Sequence, residues 1–210
     1  MLQELGLKYN TDKAQHGYLP IYESYLGPIR HEVTSILELG ILRGQSLLMW
    51  QEFFPNAKIY GLDIDPDTNK DYGLNIKTFT GSQDNCDVLQ SVIDTNNGPL
   101  DVIIDDASHI TNLTIASFNF LIPFTKRFYI FEDMRNTYDQ PLKSHLENDP
   151  LGWPGQHLNT LKDADWFNYR ADVNAFLQKI IRQIDFNINN PYDSIHIHNM
   201  TYILKKKYEI

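Results

Sequence analysis

The chain has 210 residues, which is enough for one ordinary domain and too few for two comfortable ones. Its 27 acidic residues against 18 Lys and Arg give a formal net charge of −9, which argues against binding to nucleic acid or to an anionic membrane surface. A single Cys excludes an internal disulfide framework and a four-Cys zinc site.

The two ends and the hydrophobic content narrow the class further. The N-terminus has no basic segment followed by an apolar run, and no stretch approaches the ~18 apolar residues of a membrane span. With the single Cys, this predicts a reducing, cytoplasmic location. A hydrophobic fraction of 42% is sufficient for a packed core. The negative charge is then either spread over the surface or partly gathered to hold something positive.

In chain order, segment 1–33 predicts a helical cap with an irregular lead-in at 9–13. Short apolar runs then alternate with helical patterns through a core at 34–133. Strands are predicted at 35–39, 58–62, 76–80, 100–104 and 128–131, and helices at 45–54, 84–94 and 113–120. This alternation predicts right-handed βαβ units and an α/β fold with a Rossmann-like, doubly wound, mainly parallel sheet.

Two segments follow the core within the same predicted domain. Segment 134–169 is rich in Pro, Gly, Trp and Asn and is long for a plain connection, which predicts a lid. Four of its side chains could stack on a bound ligand or pack the segment against the body of the domain: Tyr138, Trp153, His157 and Trp166. Segment 170–210 predicts a helix at 171–184 and one or two antiparallel edge strands within 194–205.

Ligands bind such sheets at the carboxyl ends of the strands, so the residues after each strand are informative. Gly40 and Gly44 follow the first strand with the spacing G-x-x-x-G, which suits either a tight turn or close approach of a ligand. Asp63 ends the second strand, 23 residues after Gly40, where these folds accept the ribose hydroxyls of an adenosine-type ligand. Asp65 is a possible substitute or a turn residue before Pro66.

The third strand ends in a polar turn at 81–84. Its polar side chains or its backbone could meet the edge of an adenine ring. Alternatively, Ser82 or Asp84 could serve as the N-cap of the following helix.

Four acids and a histidine follow the fourth and fifth strands. They are Asp105, Asp106 and His109 after the fourth strand, and Glu132 and Asp133 after the fifth. Carboxylates crowded at one sheet edge repel each other unless a cation sits among them. Oxygen ligands favour Mg²⁺, Ca²⁺ or Mn²⁺ over zinc, so this cluster predicts a metal site.

These motifs together resemble those of a known family. The segments are LELGILRGQS at 37–46, IYGLDI at 59–64, GSQ at 81–83, IIDDASH at 103–109 and FED at 131–133, preceded by TDK at 11–13, HGY at 16–18 and Tyr22. They resemble class I S-adenosylmethionine-dependent methyltransferases, and more narrowly the metal-dependent O-methyltransferases of rhamnosyl and related deoxysugar groups. The resemblance is close over 8–135 and loose in the final strands.

The resemblance implies a role for each matching residue. The cofactor-binding residues would be Thr11, Lys13, Tyr18, Glu38, Gly40, Ser46, Asp63, Ser82, Gln83 and Asp105. Asp106, Glu132 and Asp133 would hold Mg²⁺ or Mn²⁺, with His109 as general base and Asp106 as a further catalytic residue. The expected acceptor is a sugar-containing small molecule or a glycan.

Three other functions stay open on the residues alone. An NAD-linked oxidoreductase would share the acid after the second strand, but the G-x-G-x-x-G turn is absent. A catechol-type O-methyltransferase would share the fold and the metal, and a non-catalytic module could keep the adenosyl-ligand site. A homo-oligomer, or a place within a larger glycan-processing polypeptide, is compatible with each of them.

Overall fold

The computed structural model describes residues 1–73, 75–134, 170–187, 190–198 and 200–207. Apart from Met134, the predicted lid at 134–169 lies outside the described residues. The hypotheses on its aromatic and histidine side chains concern residues outside the described structure as well: Tyr138, Trp153, His157 and Trp166.

One seven-stranded sheet forms the centre of the described structure. Its strands are β1 (Ser35–Leu39), β2 (Lys58–Asp63), β3 (Ile76–Thr80), β4 (Leu100–Asp105), β5 (Thr125–Phe131), β6 (Tyr192–Ile197) and β7 (Tyr202–Lys206). Their order is β3-β2-β1-β4-β5-β7-β6; β1 to β5 run parallel, and β7 is antiparallel to both β5 and β6. The predicted α/β, doubly wound, mainly parallel fold is confirmed.

Helices cover both faces of this sheet. They are α1 (Leu2–Tyr9), α2 (Lys13–His16), α3 (Tyr18–Leu26), α4 (Gln45–Phe53), α5 (Cys86–Asn96), α6 (Thr111–Leu121) and α7 (Arg170–Phe186). Every residue of β1 and β4 is buried, as expected when both faces of a parallel sheet are covered. On one face Ile36 packs in a cluster with Trp50 of α4, and on the other Leu37 packs in a cluster with Leu89 of α5.

The N-terminal segment is part of this core. Leu2, Leu19 and Tyr22 are fully buried in the cluster that contains Trp50. Helix α1 ends at Tyr9 because Asn10 adopts a left-handed conformation, with its N–H bonded to the carbonyls of the preceding turn. The predicted helical cap is therefore confirmed, and its apolar face holds it against α4.

One local prediction was wrong. The N-cap of α5 is Asn85, whose side chain accepts from the N–H groups of Asp87 and Val88, and neither Ser82 nor Asp84 takes that role. At the other end of the chain, the predicted antiparallel strands are confirmed, and β6 is the one of the two that lies at the edge of the sheet. Strand β7 lies between β5 and β6, where a ladder on each side satisfies its backbone.

No helix in the part of the chain that the structure describes combines the length and the apolar character needed to cross a membrane.

Candidate active site

The acids that follow β4 and β5 converge because these strands are parallel neighbours. Asp105 pairs in register with Phe131, so Asp106 lies beside Glu132 at the carboxyl edge. Successive side chains of a strand point to opposite faces of the sheet. Asp105 accordingly bonds Ser117 and Tyr129 on the α6 side, whereas Asp106 contacts the cap segment.

Asp106, His109 and Asp133 form a cluster that could hold a metal ion. One ligand atom from each lies within 4.8 Å of the others. His109 Nε2 is 3.8 Å from Asp106 Oδ1 and 3.5 Å from Asp133 Oδ2, and the three side chains are partly exposed. His109 and Asp133 both have a left-handed backbone, with φ of 57° and 52°. Such strain in non-glycine residues is typical of functional sites.

A buried lysine supplies the cation that the acid cluster requires. Lys13, at the start of α2, is 2% exposed. Its ammonium lies 3.2 Å from Glu38 Oε1, donates to both Glu132 oxygens, and pairs with Asp106 Oδ2. Burial alone would lower the pKa of Lys13, but Asp106, Glu132 and Glu38 outweigh it and raise that pKa well above its ordinary value, so the group stays charged.

Glu132 is buried, whereas Asp106 and Asp133 are partly exposed. Burial raises the pKa of the Glu132 carboxyl well above the ordinary value, and the charge of Asp106 adds to this, while Lys13 offsets only part of it. Glu132 is absent from the Asp106–His109–Asp133 group, because its two oxygens face Lys13. Asp106 and Glu132, two of the three acids predicted as metal ligands, thus pair with Lys13, which was predicted to contact the cofactor.

The cap segment carries two further predicted cofactor contacts, Tyr18 and Thr11. The Tyr18 hydroxyl donates to Asp133 Oδ1, so the cap segment reaches both ends of the acid cluster. Burial raises the pKa of Tyr18, and the hydrogen bond to Asp133 raises it further. Thr11 is buried at the start of α2, and its hydroxyl donates to Asp12.

The first glycine loop is tied to the same region. Gly40 has φ of 80°, and a Cβ there would overlap the backbone of Asp106 and Ala107, so the β1 and β4 loops touch at this glycine. Beneath it, the fully buried Glu38 carboxylate accepts from Ser46 Oγ at 2.5 Å and from Trp50 Nε1 at 3.3 Å. Glu38 and Ser46 thus face each other under the loop.

Asp63 organises the β1 loop from the neighbouring strand. Its Oδ2 accepts from the N–H groups of Ile41 at 2.9 Å and Leu42 at 3.0 Å, and its Oδ1 accepts from Asp65 N. Asp65 caps a short 3₁₀ helix at Pro66–Thr68, which agrees with the turn alternative for that residue. The acid therefore sits at the predicted edge and holds the glycine loop in place.

Ser82 and Gln83, the two residues predicted near adenine, differ in their exposure and in their hydrogen-bond partners. Ser82 is partly exposed and donates to Asp84. Gln83 is buried, accepts from Ser108 N at 2.9 Å and donates to Asp105 Oδ1 at 3.1 Å. Burial raises the pKa of Asp105 to about 6, against the lowering effect of the hydrogen bonds from its hydroxyl donors.

Ser117 and Tyr129, the hydroxyl donors to Asp105, were missed from the sequence. Their oxygens lie 2.7 Å and 3.1 Å from Asp105 Oδ2. A carboxylate at the end of an apolar, fully buried strand requires such donors, and that requirement was the available signal. It indicates that donors exist without saying which residues supply them.

A small pocket opens beside the cluster toward α6 and α7. His109, Glu132 and Asp133 form its polar side. Its other lining residues are Thr111, Thr114, Ile115, Met134, Val173 and Phe176. An apolar wall next to a polar cluster suits a ligand that carries both an apolar face and hydroxyl groups.

No protein-family model matches the chain. The chain is 34% identical over 148 residues to 8-demethyl-8-(2-methoxy-alpha-L-rhamnosyl)-tetracenomycin-C 3'-O-methyltransferase of Streptomyces olivaceus, in a match that covers 65% of this chain and 37% of that protein. It is 35% identical over 172 residues to mycinamicin VI 2''-O-methyltransferase of Micromonospora griseorubida, which covers 77% of this chain and 42% of that protein.

Among solved structures, the fold is similar to that of MycE methyltransferase from the mycinamycin biosynthetic pathway, determined in complex with Mg, SAH and mycinamycin VI. The TM-score is 0.75 at 27% identity, covering 99% of this chain and 54% of that chain. The chain thus spans less than half the length of the curated relatives named above, and about half of the solved one.

Proposed function

Because the chain belongs to the class I S-adenosylmethionine-dependent methyltransferase family, we propose that it transfers a methyl group from S-adenosylmethionine to a sugar hydroxyl with the help of a divalent metal ion. The relatives support this choice of acceptor. Two of them are named for O-methylation of a rhamnosyl-tetracenomycin and of mycinamicin VI, and the solved one was determined with Mg and SAH.

The convergence of Asp106, His109 and Asp133 at the carboxyl edge carries this proposal. The carboxylate oxygens of Asp106 and Asp133 suit Mg²⁺ or Mn²⁺. We assign Asp106 and Asp133 as metal ligands. Glu132, the third predicted ligand, pairs with Lys13 in this structure, so it would reach a metal only if that pair opened.

When bound, S-adenosylmethionine supplies the methyl group on a sulfonium, and the divalent cation lowers the pKa of the acceptor hydroxyl. The chain's own part is proton transfer and orientation. His109 Nε2 faces the space shared with Asp106 and Asp133, so it can accept the hydroxyl proton there. The two neighbouring carboxylates would then stabilise the imidazolium.

The remaining predicted residues divide into direct contacts and supports. We propose that Gly40 and Asp63 line the cofactor position directly, because Gly40 lies in the loop after β1 and Asp63 ends β2 beside that loop, where such folds bind adenosyl ligands. Thr11 and Tyr18 would close the site from the cap segment. Glu38 and Ser46 would act from beneath, since the Glu38 carboxylate is already used by Lys13, Ser46 and Trp50.

The test combines binding with methyl transfer. S-adenosylmethionine, and not NAD⁺, should raise the melting temperature. A panel of rhamnosyl glycosides, a glycosylated macrolide and a catechol is then incubated with S-adenosylmethionine and Mg²⁺, and products are read by the mass gain of one methyl. Methylation of a glycoside that stops in EDTA is the expected result. Methylation of the catechol alone, or indifference to EDTA, would refute the proposal.

A further inference from the structure

Gln83 lies at the turn after β3, where the family resemblance places an adenine contact, but its side chain points inward and is 4% exposed. The orientation of its amide is defined by its partners. The Ser108 N–H can only donate, so it faces Oε1 at 2.9 Å, and the Asp105 carboxylate accepts from Nε2 at 3.1 Å. Both ends of the amide are therefore used within the protein.

Asp105, which accepts from the Gln83 amide, is itself held by further hydrogen bonds. Asp105 ends β4 and also accepts from Ser117 Oγ at 2.7 Å and from Tyr129 OH at 3.1 Å. All four side chains belong to different elements and meet in a buried position. A satisfied buried polar network of this kind restricts its members to one arrangement.

Ser108, the other partner of the Gln83 amide, belongs to the loop that holds Asp106 and His109. Ser108 lies between Asp106 and His109, and its Oγ accepts from Ile110 N at 3.2 Å. His109 has a left-handed backbone, which the surroundings must impose. The hydrogen bond from Ser108 N to Gln83 fixes the peptide group one residue before that strained position.

We propose that Gln83 is a positioning residue, which locks the 106–109 loop onto Asp105 so that Asp106 and His109 face Asp133, and that it does not contact the adenine ring. The consequence for the metal rests on the proposed function above. Without Gln83, the Ser108 N–H loses its acceptor, so His109 is no longer held at its spacing from Asp106 and Asp133. The hydrogen bonds between Asp63 and the glycine loop do not involve Gln83.

The test compares Gln83→Met with Gln90→Met. Methionine keeps the length of the side chain without either hydrogen bond, and Gln90 is a control because its amide donates to the exposed Asp94 within α5. In metal-free protein, amide hydrogen exchange at Ser108 and His109 should rise roughly tenfold in Gln83→Met alone. Mn²⁺ affinity, measured by electron paramagnetic resonance, should fall roughly 10- to 100-fold. Calorimetric affinity for S-adenosylhomocysteine without metal should stay within about twofold, since no adenine contact is lost.

Three results would overturn the inference. The first is unchanged hydrogen exchange at Ser108 in Gln83→Met. The second is that Gln83→Met binds Mn²⁺ as tightly as a wild type that binds it. The third is a tenfold loss of S-adenosylhomocysteine affinity, which would restore the adenine role of Gln83. If the wild type binds neither ligand, the proposed function fails, while the exchange result still decides the positioning role. Gln83→Asn keeps an amide but is one methylene too short to reach Ser108 and Asp105 together, so raised exchange at Ser108 in that variant provides the same decision if Gln83→Met does not fold.

Discussion

The ammonium of Lys13 donates to both carboxylate oxygens of Glu132, at 2.9 Å and 3.0 Å, across 119 positions of sequence. Both side chains are almost fully buried. This pair joins the start of α2 to the end of β5. The position of the cap segment and the geometry of the acid cluster therefore depend on each other.

Lys13→Met is expected to lower the free energy of unfolding by roughly 3–5 kcal/mol, because it leaves the buried Glu38 and Glu132 and the partly exposed Asp106 without a counter-ion. Urea denaturation in EDTA measures the loss. Lys8→Met is the control, since Lys8 forms an exposed ion pair with Glu52 on the same segment and its removal should change little. Similar losses in the two variants would contradict a structural role for the buried pair.

Much of the framework could be predicted from local patterns. The five parallel strands follow from apolar runs that alternate with helices, and the convergence of Asp106 with Asp133 follows from the strand ends. The cation inside the cluster could not be predicted, because Lys13 comes from a distant segment and no local pattern aims it at Glu132. The place of β7 between β5 and β6 could likewise not be predicted, because β5 and β7 are distant in sequence and their pairing leaves no local pattern.

Smaller misses have a different cause. The start of α5 depends on which of several adjacent polar residues adopts the capping conformation, and Asn85 does so with φ of −78° and ψ of 102°. The inward direction of Gln83 depends on Ser108 and Asp105 being within reach, a tertiary fact. Sequence patterns therefore predicted the sheet edge at which the candidate site lies. They did not determine which residues pair with its buried polar groups.

Gly40→Ala should destabilise the protein more than Gly17→Ala. Both glycines have nearly the same left-handed backbone, with φ of 80° and 78°, so each Ala variant bears a conformational cost of about 1–2 kcal/mol. At Gly40 the new methyl group would also overlap the Asp106 backbone, whereas at Gly17 nothing lies within 4 Å. Urea denaturation compares the two, and equal losses would show that the close approach of the β1 and β4 loops is unimportant.

His109→Asn should lower methyl transfer at least roughly 100-fold and leave S-adenosylhomocysteine affinity unchanged, because it removes the proposed base and no cofactor contact. Asn tolerates the left-handed backbone at this position, so the loop should keep its shape. Rates are measured with the acceptor found in the glycoside panel. His31→Asn, at an exposed position, is the matched control. A near-wild-type rate in His109→Asn would rule out His109 as the base.

Asp105 makes stability depend on pH in a direction opposite to that of an ordinary paired carboxylate. Its pKa of about 6 in the folded protein exceeds the usual 3.8, so between these values the folded chain holds a proton that the unfolded chain has lost. The stabilisation is complete below about pH 4 and is lost as the pH rises through 6, amounting to about 3 kcal/mol for a shift of about two units.

Asp105→Asn removes this titration, so its stability in EDTA should change less with pH than that of the wild type. Urea denaturation between about pH 4 and pH 7 gives both curves, and the wild type should lose stability relative to Asp105→Asn as the pH rises. Taking the difference between the two curves isolates this carboxyl, because Glu38 and Glu132, whose pKa values burial also raises, are present in both proteins. A difference that does not vary with pH would mean that Asp105 remains ionised beneath the 106–109 loop.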